Sequence, residues 1–430
     1  VHCSGNFQTN RLRYTFYKPL QRLPLSQRLK PNTNHFLFAF ISARPTLNMK
    51  ILMLGSKEYP LGVSAGRDPR AGGGIEFHVE KLSKYLARHG HEVFIITRRF
   101  PGQPTQETTA NIHVYRTRYI PGRYFRAFGP TLPGFFGALF LIRKHRIDII
   151  HSHAAMAGFF GAILSRLTGR PMVFTPHGIN VDLCFPARGA VRFLLGASLR
   201  GAARILFISR VARDALSPKT RTPHALLTNA IDLEDYDFKP YRHTQAAKPP
   251  AGTKVQGEIN FLFLGRLEEV KGVDTLIEAF SLLLKKCPRA QLMIAGEGSL
   301  KNKVVNLIIQ KKTDRIRYLG WVDPRQALRD SDVFVLPSRE KGQPVALLEA
   351  MASGRIIITS LPFIRPGRTG IACRAGSPED LYRKMLMVCR NPGRYRRLGR
   401  QTREEARSFT WDSVSRLFER EYGQALRDSR

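Results

Sequence analysis

Between residues 331 and 354 the chain passes from the apolar run Ser-Asp-Val-Phe-Val-Leu, through the loop Pro-Ser-Arg-Glu-Lys-Gly-Gln, into Pro-Val-Ala-Leu-Leu-Glu-Ala-Met-Ala-Ser-Gly. A short apolar run cut off by a polar loop predicts a buried strand, and Pro344 presets φ for the first turn of a following helix. Val345, Leu348 and Ala352, widened by Leu347 and Met351, form the stripe that would face a core. Glu349 falls inside that stripe. A carboxylate without a partner is costly there, so a hydrogen-bonding group from the protein or from a ligand such as a ribose is expected beside it. Free N–H groups at the helix start favour an anion. Strand end, glycine loop, helix N-terminus and hydroxyl-binding carboxylate together suit a nucleotide diphosphate. The alternative for Glu349 alone is a cap or a salt bridge to a neighbouring element.

The same strand-loop-helix pattern recurs along the chain. Residues 51–54 read as a first buried strand, Gly72, Gly73 and Gly74 close a long loop, and Val79, Leu82, Leu86 and Ala87 share one face of a helix over 75–89. Glycines there let the backbone approach a phosphate or sugar closely, or merely turn the chain. Strands follow at 92–97 and 148–153, the latter ending in His-Ser-His, and a run ending Thr-Pro-His-Gly brings His177 to an equivalent place. In an open sheet, side chains at carboxyl strand ends point into the ligand crevice, which makes His153 and His177 candidates. A Pro-rich polar stretch over 239–258 reads as a linker. Beyond it, Phe-Leu-Phe-Leu-Gly at 261–265 ends in Gly265, and Arg266 and Lys271 occupy the next loop. Two fixed cations at a strand end suit a diphosphate, arginine as a fork and lysine as a point charge.

Residues 337–354 resemble the donor-binding signature of glycosyltransferase family 4, PSxxEGxPxxLLEAMAxG, matching at Pro337, Ser338, Gly342, Pro344, Leu347, Leu348, Glu349, Ala350, Met351, Ala352 and Gly354. Three more stretches are similar to that family's motifs: GGGIEFHV, GHEVFIIT and GRLEEVKG. The resemblance runs from Met49 to the C-terminus. It implies an α/β fold of GT-B architecture, two Rossmann-like doubly wound domains facing a cleft, and retaining transfer of a sugar from a nucleotide sugar to a hydroxyl. It further implies that Arg266 and Lys271 neutralise the donor diphosphate and that His153 faces the transferred sugar. Gly265, Glu340, Lys341, Gly342, Leu348 and Glu349 would form the donor set, with Gly73, Gly74 and His177 on the phosphate or acceptor side. No cofactor or metal is implied, since a divalent ion would duplicate the two cations.

Several positions depart from the family pattern. The first glutamate of its E-x7-E pair is replaced by Lys341, with Glu340 one place early, and the loop after Thr359 is short. Ala230 stands where the family's PNGVD turn has glycine. A cation near a developing oxocarbenium ion opposes transfer, so either Glu340 takes the role or the chain is a catalytically impaired relative that binds nucleotide sugar or a membrane as a partner subunit.

Composition narrows the remaining classes. The chain has 430 residues, 43% of them hydrophobic, enough for real cores, and its formal net charge is +36. No apolar run reaches the roughly 18 residues that span a bilayer. Five scattered cysteines, without CxxC or a histidine set at metal-ligand spacing, suit a reducing cytoplasmic compartment and no structural metal. The charge is dispersed and accompanies no nucleic-acid-binding motif, so nucleic acid is not an expected partner. Aromatic and basic residues alternate over 119–146, including Phe135, Phe136, Phe140, Arg143 and Lys144, which suits core packing or contact with an anionic membrane surface. The expected division is a disordered extension over 1–48, an acceptor domain over 49–238, the linker, a donor domain over 259–405 and a terminal helix over 406–430 crossing back to the first domain. The acceptor, a glycan or a lipid-linked one in exopolysaccharide, capsule or lipopolysaccharide assembly, is where the sequence says least.

Overall fold

The computed structural model describes residues 48–60, 74–118, 131–177, 188–238, 259–340 and 342–429. Gly73, Lys341, the 239–258 linker, the 1–47 extension and the aromatics over 119–130 lie outside the described residues.

The first sheet has eight strands: β1 (Lys50–Leu54), β2 (Glu92–Arg98), β3 (Gln106–Thr109), β4 (Ile112–Thr117), β5 (Ile149–His153), β6 (Met172–Thr175), β7 (Arg204–Phe207) and β8 (His224–Leu226). Their order is β3-β4-β2-β1-β5-β6-β7-β8, parallel except for the β3–β4 pair at the edge. β1 is central, with Ile51 opposite Val93 on one side and Ile149 on the other. Alternation along β1 sends Ile51 and Met53 to one face and Leu52 and Leu54 to the other. The first face is covered by α1 (Gly74–Arg88) through Val79, Leu82 and Leu86. The second is covered by α2 (Thr131–His145), α3 (Ala155–Thr168) and α4 (Arg188–Gly201) through Ala138, Leu141, Leu164, Leu195 and Leu199. A short α5 (Arg210–Leu216) follows β7.

The second sheet has six parallel strands: β9 (Asn260–Leu264), β10 (Gln291–Ala295), β11 (Ile316–Gly320), β12 (Val333–Leu336), β13 (Ile356–Thr359) and β14 (Ile371–Ala372), in the order β11-β10-β9-β12-β13-β14. Its helices are α6 (Val273–Leu284), α7 (Lys301–Gln310), α8 (Pro324–Arg329), α9 (Val345–Ala352), α10 (Pro378–Arg390) and α11 (Pro392–Ala406). The last helix, α12 (Trp411–Asp428), returns to the first sheet, where Trp411, Val414, Phe418 and Tyr422 join the core beside α1.

The carboxyl edges of the two sheets face each other. Asn229, in the turn after β8, donates from its backbone N–H to Gln343 Oε1 at 3.1 Å and from Nδ2 to the Gln343 carbonyl at 2.6 Å. Arg210, after β7, lies 5.8 Å from the ring centroid of Phe363, which follows β13. Ala230 is buried and is not among the residues with positive φ, so this turn does not need the glycine of the family pattern. Local differences from the sequence reading are small and have physical reasons. Pro344 is the extended N-cap of α9 with φ −75° and ψ 143°, one residue ahead of the helix, and Val345, at the first helical position, is 39% exposed and not part of the buried stripe. The β3–β4 hairpin has no apolar signature in the sequence of its first strand, because β3 is exposed at every residue.

Candidate active site

Two groups of side chains line the facing edges. On the second sheet, Gly265 ends β9 and the loop carrying Arg266 and Lys271 leads into α6. Close backbone approach fixes this loop. A Cβ on Gly272, whose φ is +71°, would come within 2.3 Å of the Pro337 carbonyl oxygen, so only glycine lets the cation loop lie against the signature loop. Ser338 Oγ donates to the Val270 carbonyl at 3.0 Å, and the Arg339 backbone N–H donates to the same carbonyl at 2.7 Å. Clamped this way, Lys271 Nζ sits 2.7 Å from Glu340 Oε2. The two cations read from the sequence therefore differ: Arg266 is exposed, whereas Lys271 already holds a carboxylate counter-ion.

Glu349 lies on α9 and is half-buried. Tyr236 Oη donates to its Oε1 at 2.8 Å, and Arg403 Nη1 holds the Tyr236 carbonyl at 2.8 Å. The partner that an apolar helix demands of this carboxylate is thus a tyrosine hydroxyl. Burial raises the Glu349 pKa to about 7, against a smaller lowering by the Tyr236 hydrogen bond. Leu348 is fully buried in the second core, so its side chain packs beneath the site and does not line it. Gly342 and Gly265 are both half-buried at the loop ends. The short loop after Thr359 folds onto its own domain: Leu361 and Ile364 are buried, and Ser360 Oγ donates to the Ser338 carbonyl at 2.6 Å.

On the first sheet, Gly74 opens α1, and His153 and His177 stand at the ends of adjacent strands, with His153 Nδ1 and His177 Nε2 2.8 Å apart. Gly55 makes room for this strand end, since a Cβ there would meet the His153 carbonyl oxygen at 2.2 Å. Ala154, which follows, has φ 66°, a strained value for a residue with a Cβ. His78 of α1 completes a trio, its ring centroid 5.7 Å from that of His153 and 4.9 Å from that of His177. His151 backs the trio: its ring contacts His153, its Nε2 is 2.8 Å from Thr175 Oγ1, and its Nδ1 is 2.8 Å from Tyr422 Oη of α12. Burial lowers the His78 pKa to about 4 and holds His151, His153 and His177 well below the ordinary imidazole value, so all four are neutral at pH 7. The buried Nε2 atoms of His78 and His153 have no protein partner. Such orphaned nitrogens suit hydroxyl groups of a bound sugar.

His78, His151, Tyr236 and Tyr422 were not singled out from the sequence. His78 carried a signal, since it lies in the GGGIEFHV stretch just beyond the glycine loop. Tyr236 and Tyr422 meet their partners only through the folding of distant segments. The sequence also showed no histidine set at metal-ligand spacing, yet the fold assembles one: ring nitrogens of His78, His153 and His177 lie within 4.8 Å of one another. Three imidazoles are a donor set for a transition metal. One pair, His153 and His177, is already joined by a hydrogen bond. Among the described residues, no hydrogen bond or ion pair joins this trio to the Lys271–Glu340 pair across the cleft.

The chain is similar to known glycosyltransferases in sequence and in fold. The sequence model of Glycosyltransferase Family 4 matches residues 72–235, and that of Glycosyl transferases group 1 matches residues 258–391. An uncharacterized glycosyltransferase of Methanocaldococcus jannaschii is 24% identical over 387 residues, covering 86% of this chain and 96% of that protein. The sucrose-phosphate synthase of Thermosynechococcus elongatus superposes with a TM-score of 0.66 at 21% identity, covering 88% of this chain and all of that one. Anabaena HepE, solved with UDP and glucose, superposes with a TM-score of 0.62 at 16% identity, again over 88% of this chain and all of that one. The architecture is GT-B.

Proposed function

We propose that this chain, which belongs to the family 4, group 1 glycosyltransferases, moves a sugar from a nucleotide sugar to a hydroxyl acceptor with retention at the anomeric carbon. The observation that carries this reading is the clamped pair of loops on the second sheet. It sets Arg266, Lys271, Glu340 and the free N–H groups of α9 at one carboxyl edge, facing a neutral histidine trio on the other. A diphosphate fits the cationic side. Its arrival would compete with Glu340 for Lys271, freeing the carboxylate to accept hydrogen bonds from donor-sugar hydroxyls. Nucleotide ribose would lie against Glu349, and His153, with Nε2 unpartnered, would face the transferred sugar.

In the reaction the bond from the anomeric carbon to the phosphate oxygen breaks as the bond to the acceptor oxygen forms on the same face. The acceptor proton passes to the leaving phosphate oxygen. Arg266 and Lys271 stabilise the charge that grows on the diphosphate, which removes the need for a divalent ion. Acceptors would be glycans or lipid-linked glycans of exopolysaccharide, capsule or lipopolysaccharide assembly, met at the cytoplasmic face of the plasma membrane. HepE binds UDP and glucose, which makes UDP-sugars the first donors to try. A second reading draws on Lys341 and the short loop after Thr359: a partner subunit that binds nucleotide sugar without transferring it.

The test is a panel of nucleotide sugars with pooled acceptors, run with and without EDTA, the product anomer being assigned by NMR. Transfer with retained configuration that is indifferent to EDTA is expected. Inverted product, or abolition by EDTA, contradicts the mechanism, and nucleotide binding without turnover selects the second reading.

A further inference from the structure

We propose that α2, α3 and α4 together form a docking face for an anionic lipid bilayer, at the edge of the first domain that carries His153 and His177. None of these three helices contains Asp or Glu. Each follows a strand of the parallel sheet and starts at the carboxyl edge, and each carries phenylalanine in its second turn: Phe135 and Phe136, Phe159 and Phe160, and Phe193. The rings make a continuous chain across the helices. Centroid separations are 5.5 Å from Phe136 to Phe135, 5.8 Å from Phe135 to Phe160, 5.4 Å from Phe160 to Phe159 and 6.1 Å from Phe159 to Phe193.

Water meets much of this belt. Phe136 is 65% exposed, Phe140 61% and Phe193 62%. Single exposed apolar side chains are ordinary, but a connected aromatic run over three elements marks an interaction surface. Exposed Arg143, Lys144, Arg166, Arg192 and Arg200 belong to the same helices, and Lys144 Nζ lies 5.5 Å from the Phe140 ring centroid. A groove of about 490 Å³ lined by Phe136, Leu139, Phe140, Arg143 and Lys144 can take part of a lipid between aromatic and cationic groups.

Charge complementarity chooses the occupant. Aromatic side chains beside cations, with no acid in the three helices, suit the interface of a bilayer with anionic headgroups, where apolar burial and electrostatic attraction act together. Contact through this face is peripheral, and no helix among the described residues is long and apolar enough to span a membrane. The ring chain from Phe135 to Phe193 lies in the amino-terminal halves of the helices, nearest the strand end at His153, and Phe140, Arg143 and Lys144 continue the face towards the other end of α2. Docking therefore brings the acceptor side of the cleft to the headgroups, and the acceptor is lipid-borne; this last step rests on the transfer reading above.

The experiment is co-sedimentation of the full chain with vesicles of phosphatidylcholine alone or with a third phosphatidylglycerol, at low and high salt. Two variants accompany it, Phe136→Ser/Phe140→Ser/Phe193→Ser and Arg143→Glu/Lys144→Glu, each checked by thermal melting and nucleotide binding. Binding to anionic vesicles only, weakened by salt and reduced at least tenfold in both variants with folding and nucleotide affinity kept, is the expected result. Absence of vesicle binding, or binding unchanged in both variants, overturns the proposal. So does a dimer that the triple-serine variant dissolves while the natural chain ignores vesicles, since a second copy then covers the face. Sugar-nucleotide turnover without vesicles reports on the transfer reading separately.

Discussion

Glu349 shows how one burial decides a site's chemistry. With a pKa raised to about 7 by burial, it is partly protonated at neutral pH in the ligand-free protein. Ribose hydroxyls donate to the ionised form, so binding favours loss of that proton. Affinity for a nucleotide sugar, whose diphosphate charge is constant in this range, should rise about tenfold from pH 6 to pH 8 and stay flat in Glu349→Gln, as measured by calorimetry. A flat profile in the natural chain would remove Glu349 from the ribose site. The sign for stability is opposite: the folded state holds this proton more tightly than the unfolded chain, so the contribution present below about pH 4.5 is lost as pH rises towards 7. That Glu349 needed a partner was legible from its apolar neighbours. That the partner is Tyr236 was not, because the contact joins the end of the first domain to a helix of the second.

At the scale of elements, strands were legible wherever both faces are buried: Phe261, Leu262, Phe263 and Leu264 announce β9 without alternation, as central parallel strands do. Terminal helix α12 was legible as a helix. Its specific work was not, since only the fold puts Tyr422 on His151, and Trp411 and Phe418 against His78. Together α1, β5, β6 and α12 enclose four neutral histidines that an unfolded chain would protonate near pH 6.5. Below that pH the unfolded state binds more protons than the folded one, so the cluster gives up stability as pH falls, about 1.4 kcal/mol per pH unit for His78 down to about pH 4. Four histidines outweigh the opposite effect of Glu349. Melting temperature should therefore fall steeply between pH 6.5 and 5, less so in His78→Asn; a flat curve would mean that the cluster opens to solvent or is charged at neutral pH.

In the whole molecule, two sheets with facing carboxyl edges are joined by the Asn229–Gln343 contacts and by α12, which carries the end of the chain back to the first sheet. This places the neutral trio opposite the cations without direct bonds between them, leaving the cleft for donor and acceptor. The chain departs from the family pattern at Lys341, outside the described residues, where that pattern has a glutamate. Losing such an electrostatic contact costs about 2–4 kcal/mol, roughly a hundredfold to a thousandfold in rate, unless another carboxylate supplies it. Glu340 is the candidate, because its ion pair with Lys271 already holds it beside the diphosphate cations. The most direct measurement is sugar transfer by the natural chain, Glu340→Gln and Lys341→Glu on one panel of UDP-sugars, with nucleotide affinity measured alongside. The account predicts turnover by the natural chain and a loss of about a hundredfold in Glu340→Gln, with nucleotide binding retained because Lys271 is then free for the phosphates. Turnover confined to Lys341→Glu, or undiminished in Glu340→Gln, would contradict it.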